Sequence, residues 1–492
     1  MANVETHSID HVPRDERHGK AWHQAPFWFT GNFVISTMVV GFIGPAQGLA
    51  LGWAVLASAL GALFGTVFMA FHANQGPATG LPQMIQSRAQ FGVRGAIVPL
   101  LAVLFVYVGF SVFGLFLTTQ ALTMVLPGDA TLWYPVVIVV AASIAIVGYD
   151  LLHLLLRWLT YLVVPIFVIV TVIAVTTLDP HSGPAGGHFS ASLFLVQFAA
   201  AAGYQISYAV YVSDYSRYLP ADTPGRAVIG WTYLGAALSS IWLTALGGLI
   251  ASSFALPDAV GNLEQVGDKL FDGFGTFAVV ASIVPSAVAI IGVNAYGSML
   301  AGVTILEGFR PVRATARVRV IGIALFAVGV YVIARALPDD FLDNFNSFVT
   351  MMLYLLVPWT AVNLVDFYWV RRGRYAITAI FDPNGIYGRW GWRGLGAYAA
   401  GFAAMVPFMS TTFFTGPANR ALDGADVSFA VGLGVAGVLY LVLMRGFDPA
   451  REEPAIAASA RRLGEPEDAA AAAPAHPPEP ELGNEPTELL AR

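Results

Sequence analysis

The residues able to do chemistry in this chain are few and lie among apolar neighbours. Asn294 and Tyr296 fall in the run Ile283-Val-Pro-Ser-Ala-Val-Ala-Ile-Ile-Gly-Val-Asn-Ala-Tyr-Gly-Ser. A side-chain amide in such surroundings is costly unless it finds a partner, so Asn294 faces either a cavity or another helix. Ser36 and Thr37 precede Gly41, Gly44 and Pro45 in a second apolar run, and Gln205 and Ser207 follow Gly203 in a third. A helix broken inside a bilayer frees N–H and C=O groups that can hold a substrate or an ion, although glycines also serve close packing alone. Catalysis has little to work with. Cysteine is absent, the nine histidines are scattered, and no His-Glu-x-x-His run exists. Metal-dependent hydrolysis, thiolate chemistry and disulfides are therefore not expected. The glycines between Gly76 and Gly95 follow an apolar span rather than a strand and lack the Gly-Lys-Ser/Thr ending of a phosphate-binding loop.

The elements that must position these residues are membrane helices. Of 492 residues, 57% are hydrophobic and 11% charged, which departs from soluble proteins. A span needs about 20 apolar residues, and that ruler gives twelve: 26–50, 52–73, 96–126, 132–149, 155–178, 192–213, 228–253, 276–305, 318–336, 342–369, 395–414 and 427–445. With the N-terminus inside, all 25 Lys and Arg except Lys269, Arg335 and Arg420 fall on the cytoplasmic side, as the positive-inside rule requires. The expected location is a cytoplasmic (inner) membrane, crossed many times, with both termini cytoplasmic. Residues 1–25 read as a cytoplasmic segment with no removable signal peptide, and the Pro-, Ala- and Glu-rich tail 448–492 as disordered. The net charge of −6 gives no reason to expect a nucleic-acid polymer as partner. Five spans separate the runs around Gly41 and Gly203, and an odd number reverses the direction of crossing. Spans 1–5 (26–178) and 6–10 (192–369) can thus form an inverted repeat, followed by two helices over 395–445.

Several motifs carry a resemblance. Gly76-Pro-Ala-Thr-Gly…Ser87-Arg88…Phe91-Gly92…Gly95 follows span 2, and Ser213-Asp-Tyr-Ser-Arg-Tyr-Leu-Pro follows span 6. Further on come Asn294-x-Tyr296-x-Ser298, Asn344-Phe345, Pro358-Trp359 with Asp366, Arg371-Arg-Gly-Arg-Tyr375 and Gly385-Ile-Tyr387. In order and spacing, from about Trp28 to Phe414, these resemble the nucleobase:cation symporter-1 family in its purine-cytosine permease branch. The resemblance implies an all-α polytopic fold of the LeuT type, a five-plus-five inverted repeat with two further helices. It also implies import of a nucleobase or related small heterocycle, of the cytosine, purine, allantoin or hydantoin class, coupled to H+ or Na+ by alternating access. A bundle of spans 1, 2, 6 and 7 would rock against the rest. No cofactor, no resident metal beyond a possible Na+, and a monomer are expected. The other classes weighed are an amino-acid or amine symporter on the same fold and a channel.

A planar heterocycle needs rings for its faces and amides or hydroxyls for its edge. The resemblance places these on spans 1, 3, 6 and 8: Ser36 and Thr37; Tyr107 with Ser111 or Phe110 with Gly114; Gln205, Ser207 and Tyr208; Asn294 and Tyr296. Tyr208 stands where many members carry Trp, and the amide that members carry in span 3 is missing. The implied cation site lies between spans 1 and 8, at Gly41, Ser286 and Ala289, with Ser286 the one side-chain oxygen in its window. Asp214 and Arg217, three residues apart, read as a gate or scaffold at the end of span 6, paired with each other or with Arg88.

Overall fold

Residues 9–147, 149–180, 187–256, 258–310, 312, 315–337 and 340–465 are described by a computed structural model. Expectations for residues 1–8 and 466–492 lie outside them. The described chain is helical, and helices occupy all twelve apolar stretches. The first stretch is divided into α1 (Gln24–Gly31), α2 (Ile35–Val40) and α3 (Ile43–Ala46). It is followed by α4 (Leu51–Ala73), α5 (Ile97–Thr123), α6 (Ala130–Val147) and α7 (Tyr149–Thr177). The sixth stretch is α8 (Ala191–Ile206), a 3-10 turn over Ser207–Val210, and α9 (Val212–Ser216). Then come α10 (Gly225–Ala251), α11 (Ala259–Asp268), α12 (Phe274–Glu307), α13 (Ala316–Ala336), α14 (Phe341–Val365), α15 (Trp392–Met405), α16 (Ser428–Leu443) and α17 (Glu453–Leu463). Among the described residues, eight helical stretches are long and apolar enough to cross a bilayer, and α6 and α16 supply shorter apolar helices. The interrupted first stretch and α15 fall short of that length because their helices end early.

Two groups of helices pack among themselves. In one, α4 lies against α8 and α10, and α10 also holds α1 and α2. Glycines permit the approach: a Cβ at Gly65 would sit 2.4 Å from the Ala202 carbonyl, and one at Gly235 2.1 Å from that of Ala25. In the other group, α12 packs on α5, α6, α7 and α13. Helix α14 touches α8 of the first group and α5 of the second, and binds α15 and α16.

The breaks coincide only in part with the glycines. Val34 is extended, with φ −135° and ψ 156°, so the first stretch opens over Asn32–Val34, and it is interrupted a second time at Gly41–Phe42, between α2 and α3. Gly41 caps the end of α2 and presses on α10, where a Cβ would run into the Thr244 carbonyl. Gly203 lies inside α8 against the Val349 carbonyl, and the sixth stretch breaks later, over Ser207–Tyr211. Both glycines are there for contact. Helix α11, in the connection between the seventh and eighth apolar stretches, is capped by Asp258 and buries Val260, Leu263 and Val266, but is too short to cross.

The tail also differs from expectation. Residues 448–465 are ordered and carry α17, whose Ile456 joins an apolar cluster with Leu81, Ile85, Tyr375 and Tyr387. Glu452 accepts two bonds from Arg371, Nε at 3.0 Å and Nη2 at 3.0 Å, and Ser459 caps the Thr378 N–H at 3.0 Å. Composition hid this because the anchors are ionic and lie far away in sequence. The N-terminal strap shares the same face: Val12 N–H donates to Gly80 O at 3.0 Å, and Arg17 donates to Pro77 O at 2.9 Å. Glu465 closes the circle, 3.4 Å from Arg14 and 3.9 Å from Arg17. Burial pushes the Arg17 guanidinium down to about 10, with Glu465 opposing.

At the heart of this face, Asp366 is fully buried where α14 widens into a π turn over Asp366–Val370. Its carboxylate accepts from Arg371 at 2.5 Å, Tyr440 at 2.8 Å, Tyr375 at 2.8 Å and Gln90 at 2.7 Å. Arg371→Ala would leave Asp366 and Glu452 facing each other's surroundings without a cation. Unfolding stability should fall by ~3–5 kcal/mol, the scale of broken buried ion pairs. A melting temperature in detergent equal to that of the parent would show that the pair is not holding the face together.

Candidate functional site

The two breaks face each other, and one side chain joins them. Tyr204, on the last turn of α8, places its hydroxyl 2.9 Å from Ser36 Oγ and 2.8 Å from Thr37 Oγ1. Thr37 in turn donates to the Asn32 carbonyl at 2.7 Å, satisfying a group the break releases. Asn32 holds the break from the other side, its Nδ2 donating to Ala236 O at 2.9 Å and Ser239 Oγ at 3.3 Å. Tyr208, one turn along, donates its hydroxyl to that of Tyr204 at 3.3 Å.

These groups border a cavity of about 170 Å³ between α1, the sixth stretch, α5 and α12. Its wall is aromatic. Trp28 meets Tyr208 edge-on at 6.1 Å and Tyr215 at 5.5 Å; Phe110 meets Tyr204 edge-on at 5.4 Å; Tyr107 and Tyr211 stack at 6.1 Å. The polar groups are Ser36, the tyrosine hydroxyls, Asn294, Asp214 and Arg217. Asn294 donates through Nδ2 to Ser111 Oγ at 3.2 Å, which fixes the amide plane against the cavity. Such a chamber can sandwich a flat ring between π faces and read its edge with an amide and hydroxyls.

Of the residues expected here, Ser36, Tyr107, Phe110, Tyr208, Asn294 and Tyr296 line the cavity. Both span 3 candidates reach the wall, while Ser111 meets the span 8 amide. Thr37 stands behind the wall, fully buried and bound to Tyr204. Gln205 and Ser207 do not line it. Gln205 turns into the helix group, donating to Thr66 Oγ1 at 2.9 Å and Ala236 O at 3.1 Å, and Ser207 donates back to Tyr204 O at 2.6 Å. The helical period decides this: Tyr204 and Tyr208, four apart, share a face that Gln205 cannot. Trp28, Tyr204, Tyr211 and Tyr215 were not singled out from sequence, though Tyr204 and Tyr211 keep the spacing of Tyr208 to within a turn.

The expected cation residues are dispersed. Ser286 lines a second small cavity of about 30 Å³ with Thr30, Val34 and Thr160, beside the first break. Ala289 is buried outside it, and Gly41 faces α10. The hydroxyls of Ser286, Thr30 and Thr160 are the side-chain oxygens around that space, a thin set for Na+. The gate residues are divided as well. Arg88 is buried and binds Glu307 at 3.0 Å and Thr304 O at 3.1 Å rather than Asp214. Burial pushes its guanidinium down, with Glu307 opposing. Asp214 accepts from Gln83 N–H at 2.8 Å, and Arg217 Nε donates to Asp214 O at 3.2 Å and Nη1 to Asp10 O at 3.1 Å.

Two substitutions separate the wall from its support. Tyr204→Phe should destabilise the protein by ~1–3 kcal/mol through the hydroxyls it leaves unpaired, and should also alter ligand affinity. Gln205→Ala should lower the melting temperature and leave apparent affinity unchanged. An affinity change on Gln205→Ala with stability intact would place that amide in the site after all.

Comparison with known proteins agrees with this geometry. Residues 11–432 match the family profile described as permease for cytosine/purines, uracil, thiamine, allantoin. The chain is 38% identical over 444 residues to a Bacillus subtilis protein assigned as a purine-cytosine permease, covering 90% of this chain and 96% of that one. It is 27% identical to the purine-cytosine permease of Emericella nidulans, covering 90% and 88%. Among solved structures, it resembles Mhp1, a nucleobase-cation-symport-1 family transporter, in a closed conformation with bromovinylhydantoin bound. The TM-score is 0.72 at 16% identity, covering 95% of this chain and 99% of that one. The inward-facing conformation of Mhp1 matches with a TM-score of 0.72 at 15% identity, covering 94% and 98%. The protein is thus a multi-pass membrane transporter and not an enzyme, and it belongs to the purine-cytosine permease family of nucleobase-cation symporters.

Proposed function

We propose that this chain is a secondary active importer of one nucleobase or closely related heterocycle of the cytosine, purine, allantoin or hydantoin class. Transport is coupled to H+ or Na+ and proceeds by alternating access. The observation that carries this reading is the ring-walled cavity between two interrupted helices, with Asn294 and Ser36 as its edge readers. The substrate-binding set on this reading is Ser36, Tyr107, Phe110, Tyr208, Asn294 and Tyr296, extended by Trp28 and Tyr204. The protein is a monomer of twelve crossings built on a five-plus-five inverted repeat, set in the cytoplasmic membrane with its arginine-rich face inward. Na+ would be held by Ser286 and the opened backbone near Val34. Because that oxygen set is thin, H+ serves as well.

The packing of α1, α2, α4, α8 and α10 among themselves, and of α12 with α5, α6, α7 and α13, supports rocking of the first group against the second. The decisive measurement is competition against radiolabelled cytosine or adenine uptake by a panel of heterocycles, with sodium and proton gradients collapsed separately. Asn294→Ala should abolish uptake at unchanged membrane abundance; parallel loss of protein would mark the amide as a strut between α12 and α5. Tyr208→Ala should weaken apparent affinity by ~1–3 kcal/mol, the scale of base–aromatic stacking. Uptake that never saturates and ignores both gradients would point to a channel.

A further inference from the structure

The hydroxyls around the first break have fewer protons than contacts, and the shortage gives them a direction. Each hydroxyl donates once. The Asn32 carbonyl can only accept, so Thr37 spends its proton there, at 2.7 Å. The 2.8 Å contact between Thr37 and Tyr204 then takes its proton from Tyr204. With that proton spent, the Tyr204 oxygen meets Ser36 at 2.9 Å and Tyr208 at 3.3 Å as an acceptor, and both of those residues donate to it. The chain of hydroxyls thus runs one way, from the cavity wall inward, and ends on a backbone group that the break releases.

Ser36 and Tyr208 line the cavity, yet their protons are held by Tyr204. What they offer a ligand is lone pairs. Two acceptors flanking one oxygen suit a nitrogen that carries two N–H, whereas a ligand carbonyl in the same place would set oxygen against oxygen. The other polar groups of the wall do not offset this. The Asp214 carboxylate adds acceptors, and Arg217 spends Nε on Asp214 O, Nη1 on Asp10 O and Nη2 on the Tyr218 hydroxyl. Asn294 gives one N–H to Ser111 and keeps an oxygen and a second N–H, so it serves either kind of edge. We propose that Thr37, fully buried behind the wall, is a positioning residue that fixes the proton direction of this chain, and that the chamber therefore prefers a heterocycle bearing an exocyclic amino group to its oxo counterpart. The proposal rests on the reading of the cavity as the substrate chamber.

The test is competition against uptake of radiolabelled cytosine or adenine by bases taken in pairs that keep the ring and exchange amino for oxo: cytosine with uracil, and adenine with hypoxanthine. In the parent, the amino member of each pair should compete about tenfold or more better than its partner, the effect of facing a buried acceptor with a carbonyl. Thr37→Val keeps the shape and removes the proton sink. Tyr204 can then donate to Ser36, whose own proton is released to the cavity. The amino-to-oxo ratio should fall severalfold, through better competition by uracil and hypoxanthine. Thr37→Ser keeps a hydroxyl and should keep the parent ratio. Where Thr37→Val does not reach the membrane, Tyr204→Phe, which frees the protons of Ser36 and Tyr208 together, should narrow the ratio in the same direction. A parent ratio near one, or a ratio unmoved in the variants, would overturn the proposal and leave the chamber reading in place. Equal weakening of all four bases in Thr37→Val would do the same, because it would make Thr37 a strut for the break and nothing more. No uptake of either labelled base, and competition by none, would instead overturn the chamber reading and take the proposal with it.

Discussion

The hydroxyl of Tyr204 is the point on which this structure turns. Inside a bilayer an interrupted helix leaves backbone groups that water cannot satisfy, so a break survives only where protein groups take over. Tyr204 reaches from the sixth stretch to Ser36 and Thr37 of the first, and Thr37 passes the link to the Asn32 carbonyl. Asn32 carries it on to Ala236 and Ser239 of α10, and Gln205 reaches the same Ala236 carbonyl from the sixth stretch. Both breaks therefore belong to one hydrogen-bonded body. That body presents a face of rings to α5 and α12, and the cavity is the gap between them.

Much of this was legible in the sequence, for reasons that can be named. Apolar length and the lopsided placement of arginine located the helical stretches, because both follow from the bilayer itself. Asn294, which lines the cavity, was recognisable as a candidate because an amide among isoleucines and valines needs a reason. The breaks were legible only in part. Glycine and proline mark possible interruptions, and Gly41 does stand between α2 and α3, but Gly203 lies inside α8 against α14, and the chain also opens at Asn32–Val34 and Ser207–Tyr211. What permits those openings is the long-range bonding of Asn32, Thr37 and Tyr204, which no local pattern announces. Gln205 misled for a related reason: it is polar and adjacent to the wall, yet one residue off its face.

The motifs that carry the family resemblance mostly fall away from the cavity. Ser87 accepts from Trp359 Nε1 at 3.0 Å, Gln90 binds Asp366, and Arg371 and Tyr375 close on the same carboxylate. His72, at the end of α4, stacks on Trp359 at 4.6 Å and lies 2.7 Å from Thr360 Oγ1. These residues fasten the connection after α4 to α14, the helix that touches both packing groups. The motifs by which the chain resembles its family thus lie mostly in the frame rather than in the cavity wall.

The brace formed by α17 and the N-terminal strap lies at the margin of that shared pattern. The family profile ends at residue 432, whereas Glu452, Ile456, Ser459 and Glu465 all come later. Cutting the protein at residue 432 would strip Arg371 of its second carboxylate and detach Arg14 and Arg17 from their shared counter-charge. A segment whose composition reads as expendable is therefore a buttress, and engineering of this transporter by homology-guided trimming would remove a wall while leaving the rooms on the plan.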